Sequence, residues 1–276
     1  MGSWDSWIGK PLVAHDLVAP AAVARFAAML DAVPPRQLAP QGFHWCLCLP
    51  DAPTAEIDVD GHPKRGGFLP PVDLPRRMWV ASAIRFLAPL PIGAAIERVS
   101  TVAAIGEKQG GSGKLVFVEI DHLIRADGAE AVRERQTVVY REPAADTPAA
   151  PSPSDGSDLS GWEWQRGVTP SEVLLFRYSA LTFNSHRIHY DLPYATGTEG
   201  YPGLIVQGPL MGSLLLDLCT QQLGPQALAA FSFRAHSPAF AGQALTLVGR
   251  QDSGGLALAV IGGDGHTIVS AAGSPA

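Results

Sequence analysis

Hydrophobic and polar positions divide this chain into two stretches that repeat one plan. After Val18-Ala-Pro20, Val23 and Phe26 fall at the i, i+3 spacing of a helix face, and after Val168-Thr-Pro170, Val173 and Phe176 do the same. Proline at an early helical position loses no hydrogen bond, because the first-turn N–H groups have no intrahelical acceptor. Downstream of the first helix, Ile96–Ile105, Lys114–Ala126 and Ala131–Tyr140 are apolar and β-branched without a helical period, which predicts strands. Downstream of the second, Leu228–His236, Leu245–Gln251, Leu256–Gly262 and Thr267–Ala272 predict four more, with Gly-Gly and Gly-Asp-Gly as hairpin turns. Between them, Gly208-Pro-Leu-Met-Gly-Ser-Leu-Leu-Leu-Asp-Leu-Cys219 is apolar nearly all round and predicts a buried helix.

The repeat has a nearly constant spacing. Val18 and Val168 lie 150 residues apart, as do Phe26 and Phe176, and the Pro-x-x-x-Gly turns ending at Gly93 and Gly242 lie 149 apart. A constant offset at both ends of a unit points to an internal duplication. Residues 143–160, rich in Pro, Ser, Ala and Asp, read as the linker, which gives units 1–142 and 161–276. A long helix wrapped by an antiparallel sheet, twice over, is the architecture these pieces permit.

Composition narrows the class without naming a reaction. With 46% hydrophobic and 17% charged residues the 276-residue chain is globular, and a net charge of -6 argues against nucleic acid. Cys46, Cys48 and Cys219 form neither a disulfide framework nor a zinc knuckle. The absence of a long apolar run or a basic, apolar leader makes a cytoplasmic protein without membrane partners the expectation.

The densest chemistry lies in Phe183-Asn-Ser-His-Arg-Ile-His-Tyr-Asp191. His189 suits a general acid or base, or a packed histidine. Asn184 cannot take a proton and can position water or cap the helix. His186 is a second shuttle or a structural donor. Arg187 can hold an anion or pair with Asp191 or Asp217, and Asp191 can orient His189 or cap the loop. Gly208 starts the buried helix, where a free N–H can meet a developing oxyanion or simply permit close packing. Arg234 alternates with aromatics on a strand, on a solvated face or in a substrate channel. Lys64, Arg65, Arg76 and Arg77 lie among Gly and Pro in a basic stretch that is not a P-loop. No His, Cys or carboxylate set has metal-ligand spacing in the sequence, so no metal is expected.

Asn184-x-x-x-x-His189, followed 19 residues later by Gly208, resembles the hydratase motif of MaoC-like enzymes of the hot-dog fold. The family's aspartate is Asn184 here. That variant resembles the subgroup of type 2 3-hydroxyacyl-thioester dehydratases and mesaconyl-C4-CoA or itaconyl-CoA hydratases, as do Asp60-Gly-His-Pro, Gly67-Phe-Leu-Pro-Pro and Leu74-Pro-Arg-Arg-Met-Trp79. The resemblance implies an α+β double hot-dog, two antiparallel sheets each wrapped round a central helix as a pseudo-dimer. It further implies hydration or dehydration of an enoyl or 3-hydroxyacyl thioester, with His189 as base, Asn184 holding water and the Gly208 N–H on the thioester oxygen. His186 and Asp191 would support them, and Arg187, Arg234, Arg76 or Arg77 would bind substrate. CoA enters as substrate and no cofactor is required. A branched dicarboxyl-CoA leads; an aliphatic acyl carrier protein or CoA thioester, a thioesterase, and a non-catalytic binding module are the competing readings. An assembly of two such chains stays open. At the repeat spacing Asn184 and His189 fall on Pro34 and Ala39, so the first half carries no base.

Overall fold

Ten strands join into one antiparallel sheet in a computed structural model that describes residues 4–110, 113–142 and 158–276. The first half contributes β1 (Pro11–Leu17), α1 (Pro20–Met29), β2 (Arg76–Phe86), β3 (Ala95–Gly110), β4 (Gly113–Ala126) and β5 (Ala129–Arg141). The second contributes β6 (Trp164–Val168), α2 (Glu172–Thr182), α3 (Gly208–Leu223), β7 (Leu228–Ala235), β8 (Leu245–Asp252), β9 (Gly255–Gly262) and β10 (Thr267–Pro275). Residues 143–157 of the expected linker lie outside the described residues.

The strand order, β1-β3-β4-β5-β2-β7-β10-β9-β8-β6, reads the same from either edge once each strand is replaced by its counterpart in the other half. The halves meet where β2 pairs with β7, in a register that runs from Ala81↔Arg234 to Arg85↔Ala230. At its centre Ala83 faces Ser232, residues that also lie 149 apart in sequence. A local two-fold therefore passes through the middle of the sheet, and the closed junction leaves no free strand edge there. All seven predicted strands are present, with small shifts at their ends. β1, β2 and β6 were not predicted. β2 in particular begins inside the basic stretch read as a loop, because Arg76 and Arg77 mask the alternation of a central strand.

α3 is buried continuously from Pro209 to Cys219. Each Leu so removed from water contributes roughly 1.5–3 kcal/mol. The helix packs on β2 of one half and on β8 and β9 of the other. Gly212 makes this possible, since a Cβ there would lie 3.0 Å from the Trp45 ring and 3.3 Å from Phe233. One apolar core runs under both halves, from Phe26 and Phe43 through Leu175 and Leu215 to Phe231 and Val260.

The layout is a double hot-dog with two departures from expectation. The long central helix occurs once. Among the described residues between α1 and β2 the first half has loops and 3-10 turns at Phe43–Cys46 and Thr54–Glu56, and α3 serves both halves. The second departure concerns α2. Val23 and Phe26 are buried in α1, whereas Val173 and Phe176 are 67% and 64% exposed. α2 instead buries Leu175, Tyr178 and Ser179, matching Val23, Phe26 and Ala27 at a spacing of 152. The helix ends confirm that spacing. Asp31 and Phe183 both take left-handed φ values (54° and 47°), and the Ala32 and Asn184 N–H groups donate to Ala27 and Ser179 at 2.9 Å each. The counterparts of Asn184 and His189 are thus Ala32 and Gln37 rather than Pro34 and Ala39. Neither can act as a base.

Candidate active site

The polar segment begins where α2 stops. Phe183 caps the helix in the left-handed region, and Asn184 Oδ1 then accepts the His186 N–H at 3.1 Å, an Asx-type turn. Asn184 Nδ2 has no hydrogen-bond partner among the described residues. A 3-10 turn over Arg187–His189 follows and buries Ile188 and His189. The turn is fastened to the stretch before α3 by the Ile205 N–H on Ile188 O at 2.9 Å.

His189 Nδ1 lies 2.7 Å from Ile205 O. A carbonyl only accepts, so Nδ1 carries the proton and Nε2 keeps its lone pair. Burial pushes the imidazole down to about 4; the Ile205 carbonyl opposes that and nearby His62 adds to it. His189 is therefore a neutral base with one open nitrogen across the neutral range. His186 is also held neutral, by burial and by the His62 and His189 rings beside it.

Two groups that sequence reasoning did not assign complete the cluster. His62 packs against His186 with ring centroids 4.1 Å apart and the rings tilted by 42°, and His186 meets His189 edge to face at 5.5 Å. Asp60 holds His62 twice, accepting its N–H at Oδ1 (2.8 Å) and lying 3.0 Å from Nδ1 through Oδ2. These bonds keep the Asp60 carboxyl well below the usual carboxylate range despite its burial. The loop that carries both docks on the polar segment through Arg187 N–H to Asp60 O (2.9 Å), Arg187 to Val59 O (3.1 Å) and Ser185 Oγ to Gly61 O. Gly61, at φ +91°, is required there, since any Cβ would lie 1.8 Å from Ser185 O. The Asp60-Gly-His-Pro run was visible in the sequence as part of a family pattern, but its position beside His186 is purely tertiary.

Gly208 is the first residue of α3, so its N–H has no intrahelical acceptor. A Cβ at this position would lie 3.1 Å from Trp79 O and 4.0 Å from Phe233. Trp79, Phe233 and Trp45 form an aromatic cluster beside it, with ring centroids 5.8 to 6.5 Å apart.

The charged candidates separate clearly. Arg187 is bonded to Asp191 at 2.7 and 2.9 Å and lies 4.1 Å over the Tyr194 ring. Asp191 thus holds Arg187 and the Tyr194 N–H, while Ile205 O takes the orienting role expected of Asp191 on His189. Asp217 pairs with Arg166. Arg76 is buried against Glu199 at 2.9 Å and lies 5.1 Å from the Tyr201 ring. Arg234 is exposed on the sheet surface. Arg77, like Arg234, keeps no carboxylate hydrogen bond, but its charge bears on Asp60, His62 and His186. Asp60, His62 and His186 also place one potential ligand atom each within 4.8 Å of one another, a spacing the linear sequence does not show. Both Asp60 oxygens already face a His62 nitrogen.

Residues 42–241 match the model of the hydroxyacyl-thioester dehydratase type 2 family. The chain belongs to that family. It is 40% identical to mesaconyl-C(4)-CoA hydratase of Chloroflexus aurantiacus over 97% of this chain and 96% of the relative. Among solved structures it is similar to HtdX of Mycobacterium tuberculosis (TM-score 0.71, 18% identity, 97% of this chain and 100% of that one). It also resembles a protein of the same organism described as a double hot-dog (TM-score 0.58, 12% identity, 97% and 96%). The fold of this family member is accordingly a double hot-dog, and its relatives are hydratases and dehydratases. No helix among the described residues is long and apolar enough to cross a membrane.

Proposed function

We propose that this protein hydrates an enoyl-CoA thioester, and that the acyl group is a short branched dicarboxylate of the mesaconyl-C4 type. The observation that carries the chemistry is the His189 Nδ1 bond to Ile205 O, which leaves Nε2 as a buried neutral base. His189 takes a proton from water as the oxygen attacks the β-carbon. Asn184, its Oδ1 committed to the His186 N–H, presents Nδ2 as a donor that holds the water oxygen and turns its protons toward His189. The π pair moves onto the thioester oxygen, where the Gly208 N–H and the α3 N-terminus stabilise it.

The choice of acyl group rests on the 40% identical hydratase and on Arg77. A free substrate carboxylate needs a cation not already paired, and Arg77 meets that condition where Arg76 and Arg187 do not. Purified protein is to be assayed against mesaconyl-C4-CoA, itaconyl-CoA, crotonyl-CoA and a medium-chain enoyl-CoA, with products identified by mass. Turnover of the first at least tenfold above crotonyl-CoA is expected. A clear preference for the medium-chain thioester would favour the second reading, a 3-hydroxyacyl-thioester dehydratase, which the matching family model supports. Release of free CoA without hydration would point to a thioesterase instead. CoA acts as substrate and no further cofactor takes part in this reading.

A further inference from the structure

Hydration places protons at two centres. One leaves the attacking water, and one arrives at the α-carbon of the thioester. His189 has a single open nitrogen for both, since Nδ1 is held by Ile205 O, and Asn184 cannot transfer a proton. The first half of the chain brings a second imidazole with the same arrangement. Asp60 Oδ2 accepts from His62 Nδ1 at 3.0 Å, so Nε2 of His62 is the open nitrogen. His62 retains 22% side-chain exposure, while His186 is buried between it and His189. The Gly61 contact with Ser185 and the two Arg187 bonds fix this loop against the segment that carries His189. A surface turn would not need so tight a fit to the other half.

We propose that His62, positioned by Asp60, is a second catalytic base supplied by the first half, and that it exchanges the α-carbon proton while His189 handles water. The inference rests on the hydratase reading above. In the forward direction His189 Nε2 takes a proton from water as the C–O bond forms and the π pair becomes the enolate. That proton passes across His186 to His62 Nε2. His62 then delivers it to the α-carbon, where the enolate pair forms the C–H bond and the thioester C=O is restored. One water is consumed and every imidazole returns to its neutral form.

The test uses the 3-hydroxyacyl product of whichever thioester the parent hydrates. It is incubated in D2O, and deuterium at the α-carbon is followed by mass beside dehydration. His189→Ala is expected to lose dehydration at least 100-fold yet keep α-exchange within about tenfold. His62→Gln is expected to lose both at least 30-fold, with KM within threefold. Asp60→Asn retains a hydrogen bond but donates to His62 Nδ1, which moves the ring proton onto Nε2 and removes the base. It should therefore match His62→Gln, and it decides the matter if His62→Gln does not fold. Exchange within threefold of the parent in either His62→Gln or Asp60→Asn overturns the proposal. So does complete loss of exchange in His189→Ala, which would put both protons on one residue. A parent that hydrates none of the four thioesters sinks the functional reading and this inference together.

Discussion

The two halves share a strand order and diverge in the stretch between the first helix and the sheet. In the second half that stretch makes the Asn184–His189 turn and then the long buried α3. In the first half it makes loops, and those loops hold Asp60, Gly61 and His62 against the other half's histidines. Their buried polar groups differ in kind as well. Glu134 of the first half is enclosed by Trp45 Nε1 (3.0 Å), Ser82 Oγ (2.6 Å) and His44 (3.4 Å). Those partners hold its carboxylate down to about 2 in spite of burial. Both Glu134 oxygens thus face a partner. His189, His62 and Asn184 each keep one polar atom without a partner. The comparison teaches that duplication preserved the sheet, that one copy enclosed its buried carboxylate, and that the open nitrogens of His189, His62 and Asn184 lie where the halves meet.

The largest effect expected from this division is on turnover. His189→Ala should lower kcat by about 10³, within the range for a lost general base, with thermal melting changed little. Gln37→Ala, at the equivalent place in the first half, should leave kcat within twofold. Retention of more than about 10% activity by His189→Ala would break the assignment.

A second contrast concerns the first helices. Phe26 is 1% exposed in α1 and Phe176 is 64% exposed in α2. Phe26→Ala should cost about 3–5 kcal/mol of unfolding free energy, and Phe176→Ala less than about 0.5 kcal/mol. Equal costs in denaturant titrations would mean that the α2 face is covered in solution.

That pair also shows how far the sequence was legible. Strand periodicity and the apolar run of α3 are local, and they were readable. The match of Val173 and Phe176 to Val23 and Phe26 was equally local and misleading, because burial on α2 is set by packing two residues further along. β2 was hidden by Arg76, whose buried partner Glu199 lies 123 residues away and leaves no local trace. Asn184, His189 and Gly208 could be named from spacing and family resemblance. Asp60 and His62 could not be joined to them, since only the folded chain makes those neighbours.

Acid should act on the junction through its histidines. His189 titrates near 6.5 when unfolded and about 4 when folded, so the unfolded state binds the extra proton first as pH falls. The stability present above pH 6.5 is lost progressively toward pH 4, by about 3 kcal/mol for this one buried group. His62 and His186, also lowered by burial, act in the same direction. The melting temperature should fall between pH 7 and pH 5, and the fall should shrink in His189→Asn. An unchanged slope in that variant would place the acid sensitivity elsewhere, for instance on His62 or His186.

The smallest effect separates a glycine that fits the halves together from one that only turns the chain. Gly61 and Gly93 have nearly equal φ values of +91° and +94°, so an alanine at either carries a similar backbone cost of about 1 kcal/mol. Their surroundings differ. A Cβ at Gly93 meets nothing within 4 Å, whereas at Gly61 it would lie 1.8 Å from Ser185 O. Gly61→Ala must therefore move the Asp60–His62 loop away from the 185–187 backbone, and about tenfold of turnover should go with it. Gly93→Ala should lower melting by less, through the backbone cost alone, and leave turnover within twofold. If both variants melt lower and both keep full activity, the contact between the loop and the polar segment is a matter of stability alone, and the two halves share a sheet but not a site.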